Sequence, residues 1–199
     1  MSDHKTTTTS GQLFDLLEPD PEQINLAEII TPLCRAQRYA GQTIKPLSVG
    51  AHSLILSRLV PRPLRAAALL HDAAEAYTGD ITEPIKGLLP AATLNLLESV
   101  ERGILQAIED HLGLLFVGNL PAVMPYDQAL AQLEMLHFYG RQPTHQALAL
   151  IEPLTATQQL SRALYMTPDQ IAFEFLCALC DLSPGLRKEA LDYLTPSRN

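Results

Sequence analysis

Apolar residues recur at three- and four-residue spacing along most of this chain, and this periodicity limits the fold more than any other feature. The spacing predicts helices in INLAEIITPLCRAQRY (24–39), SVGAHSLILSRLV (48–60) and AATLNLLESVERGILQAIEDHLG (91–113), among other segments. Alternation with a period of two, which is typical of strands, is weakly suggested only in LLFVGNL (114–120). We therefore expect an all-α fold.

Residues that commonly begin and end helices flank these segments. Ser48 and Thr167 stand where N-terminal caps are expected, because a hydroxyl oxygen can accept from a free backbone N–H group. Gly113 and Gly140 follow two apolar segments, as expected for residues that adopt positive φ after a helix. A further helix is predicted over residues 64–77.

The length and composition of the chain fit one domain. A chain of 199 residues with 47% hydrophobic content can bury one well-packed core and is short for two. The opening MSDHKTTTTSGQ is polar and repetitive, so residues 1–12 are expected to form a flexible tail. Residues 13–199 are then expected to form the domain.

The net charge of -8 limits the partners of this protein. Proteins that bind long nucleic acids usually cluster Lys and Arg on one face, so we expect no such partner. A small phosphorylated substrate is compatible with one local basic cluster. We expect no membrane partner either, because no apolar run reaches the roughly 18 residues that indicate a membrane helix.

Three cysteines, Cys34, Cys177 and Cys180, occur without a recognisable signal peptide, which favours a cytoplasmic location, or the host cytoplasm if a phage encodes the protein. Cys177 and Cys180 form a C-x-x-C pair within IAFEFLCALCDL, an apolar run with no second pair and no nearby histidine. A structural role in the core is favoured over metal binding or redox chemistry.

The segment LRAAALLHDAAEAYTGDITEPIK (64–86) places ionisable side chains in an Ala- and Leu-rich helix. In a helix of 3.6 residues per turn, His71 and Glu75 share a face, and Asp72 and Glu75 are neighbours three residues apart. One interpretation is a solvated stripe with His71 at its edge. The other is a bound cation, because buried carboxylates need a partner.

A cation between helices needs more ligands than His71 and Asp72, and these must come from other segments. His52 lies in another predicted helix, and Asp127 follows Pro125 in what is expected to be the first turn of its helix. Each is weak evidence alone. We regard both as candidates for completing a site of nitrogen and oxygen ligands.

These four residues occur in the order of the metal ligands of the HD superfamily of metal-dependent phosphohydrolases, which the chain resembles. RYAGQTIKPLSVGAHS (38–53) and ALLHDAAEAYTGDITEPIK (68–86) are similar to segments of a compact bacterial and phage branch. That branch includes 5'-deoxynucleotidases and phage dATP triphosphohydrolases. GQLFDLLEPDPEQI (11–24) resembles its N-terminal signature.

The resemblance covers roughly residues 11–134, where Asp127 followed by Glu134 fits a later helix of the branch. Two positions depart from the family pattern. Ala51 stands where Glu or Gln often precedes the first ligand, and Gln42 stands where many members have histidine. These changes leave the four ligands intact and affect residues around them.

The resemblance implies an HD-type helical bundle in which His52, His71, Asp72 and Asp127 bind one divalent cation. Mn, Co, Fe, Ni and Zn are all compatible with such ligands, and further divalent ions can accompany the substrate phosphates. The resemblance also implies that metal-bound water attacks phosphorus, and that Glu75 orients this water or protonates the leaving oxygen. The alternative for Glu75 is a supporting or surface glutamate.

Asp80, Arg38 and Lys86 also match positions of the family segments. Asp80 would contact the sugar or position the catalytic water, and its alternative role is to cap the helix that follows. Arg38 and Lys86 would bind the substrate phosphate. The alternative interpretation is that Arg38 and Lys86 are surface side chains whose charges are solvated.

The expected reaction is hydrolysis of the phosphate ester of a deoxynucleotide. A monophosphate would give nucleoside and orthophosphate, whereas a triphosphate would give nucleoside and triphosphate, and the sequence leaves both open. A catalytically silent nucleotide-binding or regulatory module is the alternative. A helical scaffold would leave the buried charges unexplained. Because members of the family often self-associate, we expect a homo-oligomer, a dimer or larger.

Overall fold

The computed structural model describes residues 4–195, and these residues are mainly helical, which confirms the all-α prediction. One two-stranded antiparallel sheet precedes the helices of the described range. The elements in chain order are β1 (Lys5–Thr7), β2 (Leu13–Asp15), α1 (Leu26–Arg35), α2 (Val49–Leu59), α3 (Arg65–Leu70), α4 (Glu75–Thr78), α5 (Glu83–Lys86), α6 (Ala91–Leu112), α7 (Leu120–Tyr139), α8 (His145–Leu150), α9 (Pro153–Ala163), α10 (Pro168–Leu182) and α11 (Arg187–Leu194).

The segment expected to be a flexible tail contains a strand. β1 pairs with β2, with Thr6 opposite Phe14, and residues 1–3 lie outside the described range. Gly11 adopts a φ of 85° in the connecting turn, a conformation that suits glycine. Phe14 is fully buried, so the strand that carries it holds β1 against the helices. The composition of residues 1–12 did not indicate that β1 would pair with β2, because this pairing depends on Phe14, which lies outside those residues.

The predicted helix ends agree with the structure. The Ser48 side chain accepts a hydrogen bond from Ala51 N–H at the start of α2. Thr167 and Gln170 form a reciprocal capping box at the start of α10. Gly113 and Gly140 adopt positive φ directly after α6 and α7.

The helix predicted over residues 64–77 is interrupted where its ionisable residues lie. Between α3 and α4, backbone hydrogen bonds span three residues, from Ala73 N–H to Leu70 and from Glu75 N–H to Asp72. This is 3₁₀ winding, in which side chains at i and i+3 are eclipsed. Asp72 and Glu75 therefore share a face, and the 3.6-residue winding assumed for His71 and Glu75 is wrong.

Helix α7 begins earlier than the sequence predicts. It starts at Leu120 and has Pro121 in its first turn, where a missing N–H group costs no hydrogen bond. Pro125 thus lies inside the helix, and Asp127 lies beyond the first turn in which it was expected. The weak strand candidate at 114–120 is also wrong, because it forms an irregular segment and a 3₁₀ turn that lead into α7.

Helix α2 lies at the centre of the fold and packs against α1, α3, α9 and α10. Its residues are buried from Val49 to Ser57. It approaches α1 closely at Gly50, where an added Cβ would lie 3.1 Å from Cys34 Sγ and 3.2 Å from backbone atoms of α1. Polar side chains on α2 are consequently removed from water and need partners within the protein.

The C-x-x-C pair does not lie in the core. Cys34 is buried, but Cys177 is exposed and Cys180 is only partly buried on α10. The expected core role is therefore wrong for Cys177, because it lies on the side of α10 opposite the buried Leu176 and Leu179. No helix among residues 4–195 is long and apolar enough to span a membrane.

Candidate metal centre

His52 occupies a fully buried position in the first turns of α2, and both of its ring nitrogens face carboxylates. Nδ1 lies 2.7 Å from Glu134 Oε1, and Nε2 lies 2.8 Å from Asp127 Oδ1. A neutral imidazole has one N–H group and a carboxylate only accepts, so neutral His52 donates to one carboxylate and turns a lone pair toward the other. With the proton on Nδ1, that lone pair is on Nε2 and faces Asp127. Two acceptors 2.8 Å apart require a positive charge between them, either a second proton or a cation.

His71 repeats this arrangement at the end of α3. Its Nδ1–H donates to the Ala68 carbonyl oxygen at 3.0 Å, which directs Nε2 away from the helix. Nε2 lies 3.0 Å from Asp72 Oδ2 and 3.8 Å from Asp127 Oδ1. It is buried and forms no well-angled hydrogen bond with any residue between 4 and 195. Its lone pair is therefore free to bind a cation.

The four sequence candidates are brought together by three separate parts of the chain. One ligand atom each from His52, His71 and Asp72 lie within 4.8 Å of one another. Asp127 Oδ1 stands beside both imidazoles. Two neutral imidazole nitrogens and two carboxylates suit a divalent transition metal, so these residues fit the cation that the resemblance implies.

Glu134 and Tyr39 belong to the same network, although the sequence did not single them out as site residues. Glu134 is fully buried and lies seven residues after Asp127, so both project from one face of α7. Tyr39 O–H donates to Glu134 Oε2 at 2.5 Å. Its seven-residue spacing from Asp127 and the match of both residues to a later helix of the family were the signals for Glu134.

The backbone at Tyr39 adopts a strained conformation that brings its hydroxyl group to Glu134. Tyr39 and Ala40 have φ values of 58° and 52°, which non-glycine residues rarely adopt, and Gly41 follows at 71°. Left-handed backbone costs on the order of 1–3 kcal/mol per residue and persists where surrounding contacts hold it. Here the hydrogen bond to Glu134 is one of those contacts.

Arg38 lies at the centre of the carboxylate cluster rather than on the surface. Its Nε is 3.3 Å from Glu134 Oε2, and its Nη1 is 3.7 Å from Asp72 Oδ2. Burial alone would lower the pKa of Arg38, but the carboxylates of Glu134 and Asp72 outweigh it and raise that pKa. Arg38 remains a cation, and the alternative of a solvated surface side chain is wrong for it.

Paired charges set the protonation of the ligands. Burial would lower the pKa of His71, but Asp72 and Asp127 outweigh it and raise the pKa to about 10. Burial would raise the pKa of Asp127, but the hydrogen bond with His52 and the nearby imidazole of His71 hold it far below its usual range. The pocket therefore favours positive charge at the two imidazoles, in the form of protons or of a cation.

Glu75 lies beside these ligands but differs from the two aspartates among them in the direction of its pKa shift. Burial and the nearby carboxylates of Asp72 and Asp80 raise its pKa to about 9. Its Oε2 is buried and has no hydrogen-bond partner within the described part of the chain. Glu75 is thus a protonated carboxyl at neutral pH, with an oxygen available to a ligand.

Asp80 and Lys86 approach the same region from the chain that follows α4. Burial raises the pKa of Asp80, while the cations of Arg38 and Lys86 act against this increase. No side chain caps the start of α5, so the alternative role of Asp80 as its cap is wrong. Glu101 of α6 lies close enough to Lys86 to interact with it electrostatically. Burial raises the pKa of Glu101, and the charge of Lys86 acts against that increase.

Two curated proteins resemble this chain. Uncharacterized protein YfdR of Escherichia coli (strain K12) is 34% identical over 129 residues, which are 65% of this chain and 66% of YfdR. An uncharacterized protein of Rhodobacter capsulatus is 34% identical over 125 residues, which are 58% of this chain and 59% of the relative. Each match thus spans less than two thirds of the relative's length. No family model matches the chain.

His111 lies outside the candidate metal centre and connects separate parts of the fold. Its Nδ1–H donates to the Pro21 carbonyl oxygen at 3.1 Å, and its Nε2 lies 3.4 Å from Glu189 Oε1. These contacts join α6, α11 and the turn before α1. The hydrogen bond with Glu189 raises the pKa of His111. Both ring nitrogens are thereby engaged in contacts between elements.

Proposed function

We propose that this protein is a metal-dependent phosphohydrolase of the HD type that hydrolyses the phosphate ester of deoxynucleotides. The observation that carries the proposal is the convergence of His52, His71, Asp72 and Asp127, with a buried His71 Nε2 that forms no well-angled hydrogen bond with residues 4–195. A divalent cation bound by these residues would neutralise phosphate charge and make water more acidic.

Hydrogen bonds within the candidate metal centre orient the imidazole rings of His52 and His71 for metal binding. We assign the His52 proton to Nδ1, which faces Glu134, and the Ala68 carbonyl accepts from His71 Nδ1–H, so each Nε2 faces Asp127. Such supporting hydrogen bonds fix the tautomer and ring orientation of a metal ligand. Tyr39 and Arg38 in turn hold Glu134.

Glu75 supplies the proton that ester hydrolysis requires. Water oxygen forms a bond to phosphorus and loses a proton, the bond from phosphorus to the ester oxygen breaks, and the ester oxygen gains a proton to leave as an alcohol. The proton lost by water replaces the one that Glu75 donates. The raised pKa of Glu75 keeps a proton on its carboxyl group at neutral pH. That carboxyl group protonates the leaving oxygen.

Lys86 and Arg38 provide the positive charge for the substrate phosphate. Arg38 lies between the carboxylates of Asp72 and Glu134, so its charge is largely matched within the protein. Lys86 is partly exposed at the end of α5 and acts on Asp80 and Glu101. Lys86 is accordingly the cation more available to phosphate, and we assign the contact with the sugar to Asp80.

A panel of substrates tests this function. Purified protein loaded in turn with Mn, Co, Ni, Fe or Zn is incubated with each deoxynucleoside mono- and triphosphate, and orthophosphate, triphosphate and nucleoside are measured. Release of nucleoside with orthophosphate defines a 5'-deoxynucleotidase, and release of intact triphosphate defines a triphosphohydrolase. Binding of nucleotide without turnover under any metal would instead support a silent regulatory module and would overturn the proposed reaction.

The cellular setting belongs to the same proposal. A deoxynucleotide substrate and reduced cysteines are consistent with a cytoplasmic protein. We also propose a homo-oligomer that binds neither long nucleic acid nor membrane. Sedimentation velocity at micromolar concentration measures the oligomeric state, and a monomer at all concentrations would contradict self-association.

A further inference from the structure

A second pocket lies between the region joining α2 to α3 and one face of α10. Its volume is about 400 Å³, and none of the four candidate metal ligands lines it. Ligand pockets for small molecules commonly have about this size. Three guanidinium groups line the pocket, those of Arg58, Arg62 and Arg65. Such a cluster is an exception in a chain of net charge -8.

Arg58 is held in place by hydrogen bonds on its inner side. It donates from Nη1 to Gln159 Oε1 at 3.1 Å and from Nη2 to Glu174 Oε2 at 2.5 Å. The other oxygen of Glu174 accepts from Arg162. Two guanidinium groups thus share one carboxylate, so Glu174 does not cancel the positive charge of this wall.

Arg62 and Arg65 differ from Arg58 because their charges are unmatched. Both are exposed, and neither forms an ion pair or hydrogen bond with any residue in the range 4–195. Each guanidinium presents donors in a planar fork that fits two phosphate oxygens. Asp181 also lines the pocket and lowers its positive potential.

We propose that this pocket binds a small anion with linked phosphate groups, through Arg62 and Arg65 together with the fixed guanidinium of Arg58. Two free forks three residues apart suit two phosphate groups better than one. A neighbouring pocket of about 480 Å³ shares Glu174 and is lined by the exposed rings of Tyr165 and Phe173. The phosphates can therefore belong to a free polyphosphate or to a nucleotide whose base stacks on these rings.

Calorimetric titration with inorganic pyrophosphate tests the site. The protein is kept in chelator, so that no cation at the candidate metal centre contributes to phosphate binding. The double variant Arg62→Gln/Arg65→Gln should raise the dissociation constant for pyrophosphate by about tenfold or more. The matched control Arg141→Gln/Lys188→Gln removes the same charge from exposed positions outside the pocket, and should bind as the native protein does.

A variant with the opposite expected effect completes the experiment. Asp181→Asn removes the opposing carboxylate and should tighten pyrophosphate binding several-fold. Tighter binding of a deoxynucleoside triphosphate than of pyrophosphate would identify the nucleotide source, and the reverse would identify free polyphosphate. No binding at millimolar pyrophosphate, unchanged binding by the Arg62 and Arg65 variant, or equal loss in the control would overturn the proposal.

Discussion

Glu134 Oε1 lies 2.7 Å from His52 Nδ1, and this contact determines which imidazole nitrogen faces Asp127. Both residues are completely buried, and they come from α2 and α7, 82 positions apart in the sequence. The contact therefore couples the packing of two helices to the chemistry of a ligand. Glu134 also receives Tyr39 O–H on its other oxygen.

Replacing Glu134 should weaken metal binding without changing a ligand. Glu134→Ala should lower affinity for Mn or Co by about 10- to 100-fold, because His52 loses the acceptor that fixes its tautomer. Glu134→Gln, which keeps a carbonyl acceptor, should lose less. Calorimetric titration of metal-free protein measures both. Native affinity in Glu134→Ala would show that the contact does not support the centre.

Asp72 and Glu75, two acids in the helix predicted over residues 64–77, should have different roles when each is replaced. Asp72→Ala should lose bound metal after dialysis, because a ligand is removed. Glu75→Ala should retain the metal and lose about 100-fold or more in turnover, because the proton donor is removed. Elemental analysis and steady-state rates measure the two effects. Retained metal in Asp72→Ala would contradict its role as a ligand.

The sequence predicted the helix caps and the pair of His71 and Asp72 for local reasons, whereas the full set with His52 and Asp127 depended on the family resemblance. Ser48 and Thr167 act within three residues of their own positions. His71 and Asp72 are conspicuous because few other polar groups surround them. Local sequence carries such signals because the interacting atoms are close along the chain.

Other features depend on packing between distant segments and had no local signal. Glu134 matches a later helix of the family, but only the fold shows that it meets His52. The left-handed backbone at Tyr39 and Ala40 contradicts residue preference and is held by tertiary contacts. The turn at residues 71–74, whose backbone hydrogen bonds span three residues, likewise replaced an α-helix that the residue pattern favoured.

The N-terminal hairpin should contribute substantially to stability through Phe14. This ring is fully buried and stacks on Tyr77 of α4, with centroids 4.2 Å apart and an interplanar angle of 24°. Phe14→Ala should lower the free energy of unfolding by about 3–5 kcal/mol, because it removes apolar contacts and leaves a cavity. Urea unfolding followed by circular dichroism measures the change.

Leu13 is the matched control, because it neighbours Phe14 in β2 and is 54% exposed. Leu13→Ala should change the free energy of unfolding by no more than about 0.5 kcal/mol. A loss below about 1 kcal/mol in Phe14→Ala would mean that the hairpin packs only loosely on α4.

The pair of His111 and Glu189 should make stability depend on pH. The hydrogen bond with Glu189 raises the pKa of His111 above its ordinary 6.5, so this contribution is complete below pH 6.5 and is lost as pH rises through the folded pKa. Burial would raise the pKa of Glu189, but His111 and Leu26 N–H outweigh it, and the pKa falls below its ordinary 4.5. The Glu189 contribution is complete above pH 4.5 and is lost as pH falls through the folded pKa.

Glu189→Gln should therefore reduce the free energy of unfolding most between about pH 4.5 and 6.5, the ordinary pKa values of the two groups. Both side chains are partly exposed, so solvent screening limits the loss to about 1 kcal/mol or less. The amide oxygen still accepts from Leu26 N–H, which isolates the charge effect. Urea midpoints measured from pH 4 to 9 follow it, and a difference independent of pH would show that the pair carries no net charge interaction.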